Sequence, residues 1–141
     1  MGFADSIRAS NAKRLVEVDT AVMKIAQELF TEVVNNSPTQ PAANFAKGEF
    51  INNWMAAANS VDGSTRGYND YSGMGSRNSI ALLKSSLTFF RKDGKVTLSN
   101  STPYAFRVEY AGWPAPKWSG NVGPYAPVAK AFILVAPKYR P

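Results

Sequence analysis

Near the start of the chain, apolar residues return at steps of three and four: Leu15, Val18, Val22, Ile25, Leu29 and Val33. That spacing puts them on one face of an α-helix, with the polar residues between them on the other. It predicts a helix over residues 5–35, with Asp5 or Ser6 as the opening cap. Asn35-Asn36-Ser37-Pro38 ends it, because Pro38 cannot donate to the ladder. Lys13 with Glu17, and Lys24 with Glu28, fall one turn apart on its surface. At ~1.5 Å per residue the helix runs near 45 Å, more than a small domain covers. Two readings stay open: its first part projects toward a neighbour, or it is one packed helix with a frayed first turn.

The rest of the 141 residues makes one domain with that helix. Residues 37–48 are rich in turn formers, and residues 49–55 read as a strand in which Phe50, Trp54 and Met55 pack on the long helix. Trp54 is expected in the core near Val22, Ile25 or Leu29. Residues 59–77, with their Gly, Ser and Tyr and no apolar period, read as a long loop ordered by a partner. Ile80, Leu83, Leu87 and Phe90 follow at helical spacing after Asn78 or Ser79 as cap. The rival is a hairpin turning at Asp93-Gly94. In either case residues 95–99 form a strand around Val96 and Leu98. A two-turn helix fits residues 104–110, and a second Pro/Gly loop carries Trp113 and Trp118. A last helix spans residues 127–135, with Val128, Ala131, Phe132 and Val135 on one face. The predicted class is α+β: a long N-terminal helix packed on a small antiparallel sheet, with further short helices.

The chain contains no Cys and no His. Disulfides, thiolate or imidazole metal sites, Ser-His-Asp and Cys-His nucleophiles and imidazole acid–base catalysis are therefore excluded. Carboxylates remain. Five of the ten sit on polar positions of the long helix; Asp62 and Asp70 share a loop but lack the spacing of a calcium loop. Gly63, Gly67, Gly73 and Gly75 do not match a phosphate-binding fingerprint. No catalytic residue, cofactor or metal is expected. Glu109, enclosed by Tyr104, Phe106, Val108 and Tyr110, reads as a structural anchor accepting hydrogen bonds from loop amides or pairing with a cation. The apolar runs are too short to span a membrane, and residues 1–6 lack the pattern of a signal peptide.

The formal charge is +6. Residues 1–36 hold four basic and five acidic side chains, residues 37–103 seven and four, and residues 104–141 five and one. The excess is spread rather than gathered into a basic, aromatic-laced run. It suits an acidic protein partner, or nucleic acid as the alternative.

Two blocks of sequence resemble tailed-bacteriophage neck and tail-completion proteins. The first is the helix end Glu28-Leu29-Phe30-Thr31-Glu32-Val33-Val34-Asn35-Asn36-Ser37-Pro38 followed by Gly48-Glu49-Phe50-Ile51-Asn52-Asn53-Trp54. The second is Val96-Thr97-Leu98-Ser99-Asn100-Ser101-Thr102-Pro103-Tyr104-Ala105, then Val108-Glu109-Tyr110, with Ala126-Pro127 downstream. This chain has a longer loop after Pro38, and Ala111 stands between Tyr110 and Gly112. The resemblance implies a structural virion protein, assembled as a hexameric ring at the head–tail junction or as the terminator of the tail tube. It carries structural roles onto Gly48, Asn53, Trp54, Asn100, Pro103, Tyr104, Glu109 and Tyr110. Its implied partners are further copies of the chain and adjacent neck and tail-tube proteins, with passing contact with genomic DNA and no membrane. Its implied location is the virion, with the host cytoplasm during assembly. Tyr68, Tyr71, Trp113 and Trp118 are the candidate anchors for partners, since aromatic side chains dominate interface energetics. The competing classes are a basic nucleic-acid-binding module and a small hydrolase.

Overall fold

The computed structural model describes residues 2–39, 48–67, 70–83, 94–112 and 124–140. Helix α1 spans Phe3–Asn35, about 50 Å at ~1.5 Å per residue. Its start differs from expectation: Gly2 caps it without a side-chain bond, and Asp5 instead pairs with Arg8 on the helix surface. At its C-terminal end the Asn36 side-chain amide donates to the Glu32 carbonyl at 2.8 Å. Ser37 Oγ donates to the Val33 carbonyl at 2.7 Å, closing orphan carbonyls of the last turn.

Strand β1 (Trp54–Ala58) pairs antiparallel with β2 (Val96–Asn100), in a register that sets Trp54 opposite Asn100, Ala56 opposite Leu98 and Ala58 opposite Val96. The strand predicted over residues 49–55 therefore starts late. Residues 48–53 form tight turns instead, with the Asn52 amide donating to the Gly48 carbonyl and the Asn53 amide to that of Phe50, both at 3.1 Å. Gly48 sits at φ +77°, in the left-handed region open mainly to glycine.

Helix α2 (Met74–Ala81) begins four residues before the expected cap, so the loop predicted over residues 59–77 is shorter by its last turn. Its buried face is Gly75, Ser76, Ser79 and Ile80, which carries almost no apolar signal. That face closes the edge of β1 away from β2. Ser76 Oγ accepts the Trp54 amide at 2.8 Å and donates to the Ile51 carbonyl at 2.7 Å, and Ser79 Oγ accepts the Ala56 amide at 2.9 Å. A sheet edge that would otherwise invite pairing is thus satisfied by two hydroxyls. The helix-or-hairpin alternative for residues 84–93 lies outside the described residues.

After β2 the chain makes a short turn and a π-helical turn (Arg107–Ala111), then α3 (Pro127–Val135) and a 3₁₀ turn (Ala136–Tyr139). The α+β class and the packing of the long helix on a small antiparallel sheet are as expected. The core joins Met23, Ala26, Phe30, Val33 and Val34 of α1 to Phe50, Ile51 and Trp54, to Ile80 and Leu83, and to Tyr104, Val108 and Ala131. Two expectations fail here. Val33 is buried and Leu29 packs against the core as expected, but before them the buried residues are Met23, Ala26 and Phe30, one residue on from Val22, Ile25 and Leu29 and about 100° around the helix. Leu15, Val18 and Val22 stay exposed. On α3, Phe132 is exposed and the buried positions are Pro127, Ala131 and Val135, because α1 meets the small-residue side of that helix.

Candidate functional site

Most residues singled out in the two sequence blocks converge on one hydrogen-bonded knot. Asn53, fully buried, donates to the Glu49 and Arg66 carbonyls at 2.6 and 2.9 Å and accepts the Arg66 amide at 2.5 Å. Its neighbour Asn52, which sequence reasoning passed over, is equally buried. It donates to the Gly48 and Asp70 carbonyls, each at 2.9 Å, and accepts the Gly75 amide at 2.9 Å. Two adjacent asparagines thus tie the turn at residues 48–53 to Arg66 and to Asp70 and Gly75. Buried side-chain amides with every partner in place fix one backbone path, since leaving them unpaired is costly.

Trp54 lies in the core, in the cluster against which Leu29 packs. Its indole N–H donates to Ser37 Oγ, just past the end of α1, at 2.8 Å. Its ring meets Phe50 edge to face at 5.5 Å between centroids. Asn100 joins the two blocks: its side-chain amide donates to the Phe50 carbonyl at 3.0 Å, while its oxygen accepts the Thr102 amide and hydroxyl. Tyr104 is buried and donates its hydroxyl to Glu49 Oε2 at 2.9 Å. Burial, then that bond, pushes its phenol well above the usual tyrosine range. Glu109 accepts the Val128 and Ala129 amides at 3.0 and 3.1 Å, acting as a borrowed cap for α3. Just before α3, Ala126 sits at φ +48°, a conformation disfavoured for alanine, with its amide and that of Tyr125 donating to the Val108 carbonyl at 3.2 and 2.9 Å. Pro103 is exposed on the turn after β2.

Three further carboxylates make local structural bonds. Asp62 and Asp70 each accept the hydroxyl and amide of the serine two residues on, Ser64 and Ser72, and these bonds hold both below the usual carboxylate range. Glu28 accepts from Lys138 Nζ at 2.6 Å and from the Tyr139 hydroxyl, rather than pairing with Lys24. Among the described residues there is no group of three acidic side chains arranged to hold a metal. No described helix is long and apolar enough to cross a membrane.

What the described surface offers is apolar area. Phe106 and Tyr110, 68% and 67% exposed, lie 5.1 Å apart by ring centroid. They border an open groove of about 200 Å³ that reaches down to Phe50, Leu98 and Val128. Phe132, Ile133 and Leu134 line the outside of α3. Tyr71 is half exposed beside the exposed Met74. Every residue of α1 from Phe3 to Val18 is exposed, including Phe3, Ile7, Leu15 and Val16. Tyr68, Trp113 and Trp118 lie outside the described residues. Phe106 and the outer face of α3 are surface features that the sequence reading did not name as anchors, and the first was legible in its four-residue spacing from Tyr110; a projecting start of α1 was one of its two readings of that helix. No family model, curated protein or solved structure matches the chain.

Proposed function

We propose that this chain is a structural subunit of a tailed-bacteriophage virion. In this reading it forms a ring at the head–tail junction or at the end of the tail tube and docks through its long loops onto the connector and tail rings beside it. The resemblance of the two sequence blocks supplies the family. The observation that most supports a subunit is the arm of α1: helical from Phe3 onward, yet exposed at every residue as far as Val18. A helix of that length without neighbours is marginal in water even for good helix formers. The exposed Phe106–Tyr110 pair and the outer face of α3 add apolar area of the kind partners cover.

The test is size-exclusion chromatography with light scattering and electron microscopy of the purified chain, together with duplex-DNA binding at low and physiological salt. Closed rings, with DNA affinity that vanishes as salt rises, support the proposal. A monomer that holds DNA at physiological salt supports the nucleic-acid-binding alternative favoured by the net charge of +6.

A further inference from the structure

Once the core is built, one face of α1 is left over, and it is the face with the most regular pattern. Leu15, Val18, Val22, Ile25 and Leu29 alternate three- and four-residue steps, the a/d seam of a coiled coil, and of these Leu29 packs partly buried against the core. The chain's own core takes Met23, Ala26 and Phe30 instead. The seam is open over its first half, where Leu15, Val18 and Val22 keep 43%, 57% and 39% exposure. A groove runs along it beside Asn11, Arg14, Leu15 and Val18, and a second, lined by Val22, Ile25 and Leu29, lies between α1 and Gly94 and Val96.

The charges flanking the seam say what fits it. Arg14 directly precedes the a-position Leu15, and Asp19 directly follows the d-position Val18. These are g and e positions five residues apart, the pair that meets between neighbouring helices of a parallel coiled coil. An antiparallel arrangement sets g against g and e against e, and so opposes like charges. Within the chain, the ion pairs among the described residues are Arg8 with Asp5 and Lys138 with Glu28. Upstream of Leu15 the same positions hold Asn11 and Arg8, so the apolar part of the open seam is Leu15, Val18 and Val22, about 12 Å of helix.

We infer that the open seam of α1 packs in parallel against the same helix of a second copy of this chain, with Arg14 of each copy facing Asp19 of the next. A parallel coiled coil has cyclic symmetry, as a ring does. The inference rests on the subunit reading above and assigns the contact between copies to α1.

Because the chain has no cysteine, a single introduced thiol reports on its own neighbourhood. Val18→Cys on the seam is expected to form an interchain disulfide under mild oxidation, and Lys13→Cys on the opposite side is not. Arg14→Asp or Asp19→Arg alone is expected to weaken self-association roughly tenfold or more, since each sets like charges together, and the double exchange restores it. Lys13, Arg14 and Val18 are exposed and Asp19 is half-buried, so circular dichroism should show each variant folded. Equal crosslinking of both thiols, or a double exchange that fails to restore association, overturns the inference. Wild-type rings that persist unchanged in Val18→Lys overturn it and leave the ring reading standing. Association that depends on Arg14 and Asp19 but stops at two chains keeps it and sinks the ring reading.

Discussion

Replacing Gly48 by alanine tests the knot at its tightest point. A Cβ built there lies 1.8 Å from the Asp70 carbonyl oxygen and 2.8 Å from its carbon. Both are backbone atoms, so no rotamer change relieves the clash and the Asp70 segment has to move. That motion pulls the Asp70 carbonyl from the Asn52 side chain, 2.9 Å away and fully buried. Holding alanine at φ +77° costs about 1–2 kcal/mol. Leaving a buried amide short of a partner adds about 1–3 kcal/mol. The sum, about 2–5 kcal/mol, is a large part of the roughly 5–15 kcal/mol that holds a domain together. At about 3 °C per kcal/mol for a chain this long, the melting temperature should fall by about 6–15 °C. Gly67 is the control: it is exposed, and a Cβ there meets nothing within 4 Å, so Gly67→Ala should stay within about 0.5 kcal/mol of wild type. Urea titrations of both variants, fitted with a common slope, measure the difference. Equal midpoints for the two would refute the account of Gly48 as a close-packed, left-handed position.

Three further outcomes are expected. Trp54→Ala should destabilise by about 3–5 kcal/mol, the usual cost of emptying a buried aromatic site, and flatten the near-UV circular dichroism spectrum; Trp54→Phe, which keeps most of the volume and loses the bond to Ser37, should cost distinctly less. Glu109→Ala should cost about 1–2 kcal/mol through the uncapped amides of Val128 and Ala129, while Glu109→Gln, which keeps one acceptor oxygen, should cost about half as much in the same thermal melts. The Lys138 hydrogen bond, followed by that of Tyr139, lowers the Glu28 pKa in the folded chain. Its contribution is therefore present above the ordinary glutamate range and lost as pH falls through the lower folded value. Amide hydrogen exchange across residues 136–139 should accelerate in acid at that point, and Glu28→Gln should abolish the transition.

The sequence determined that the chain begins with one long helix ending before Pro38, that a sheet forms near Trp54 and Val96, that Pro127 opens a final helix, and that thiol and imidazole chemistry is excluded. These are local properties, written in residue spacing, proline geometry and composition. Tertiary structure decided which face of the long helix is buried. Two stripes overlap on α1, Val22-Ile25-Leu29 and Met23-Ala26-Phe30, and periodicity scores both; only the position of β2, α2 and α3 selects the second for the core. The same holds for α2. Its buried side is glycine and serine, residues with no hydrophobic period, whose value lies in hydroxyls placed against the edge of β1. Asn52 and Asn53 look alike in sequence to any loop asparagine, because the carbonyls and amides that satisfy them come from residues as far on as Arg66, Asp70 and Gly75. A hydrogen bond between distant segments leaves no periodic trace, and so the knot that fixes this fold becomes visible only when those segments are brought together.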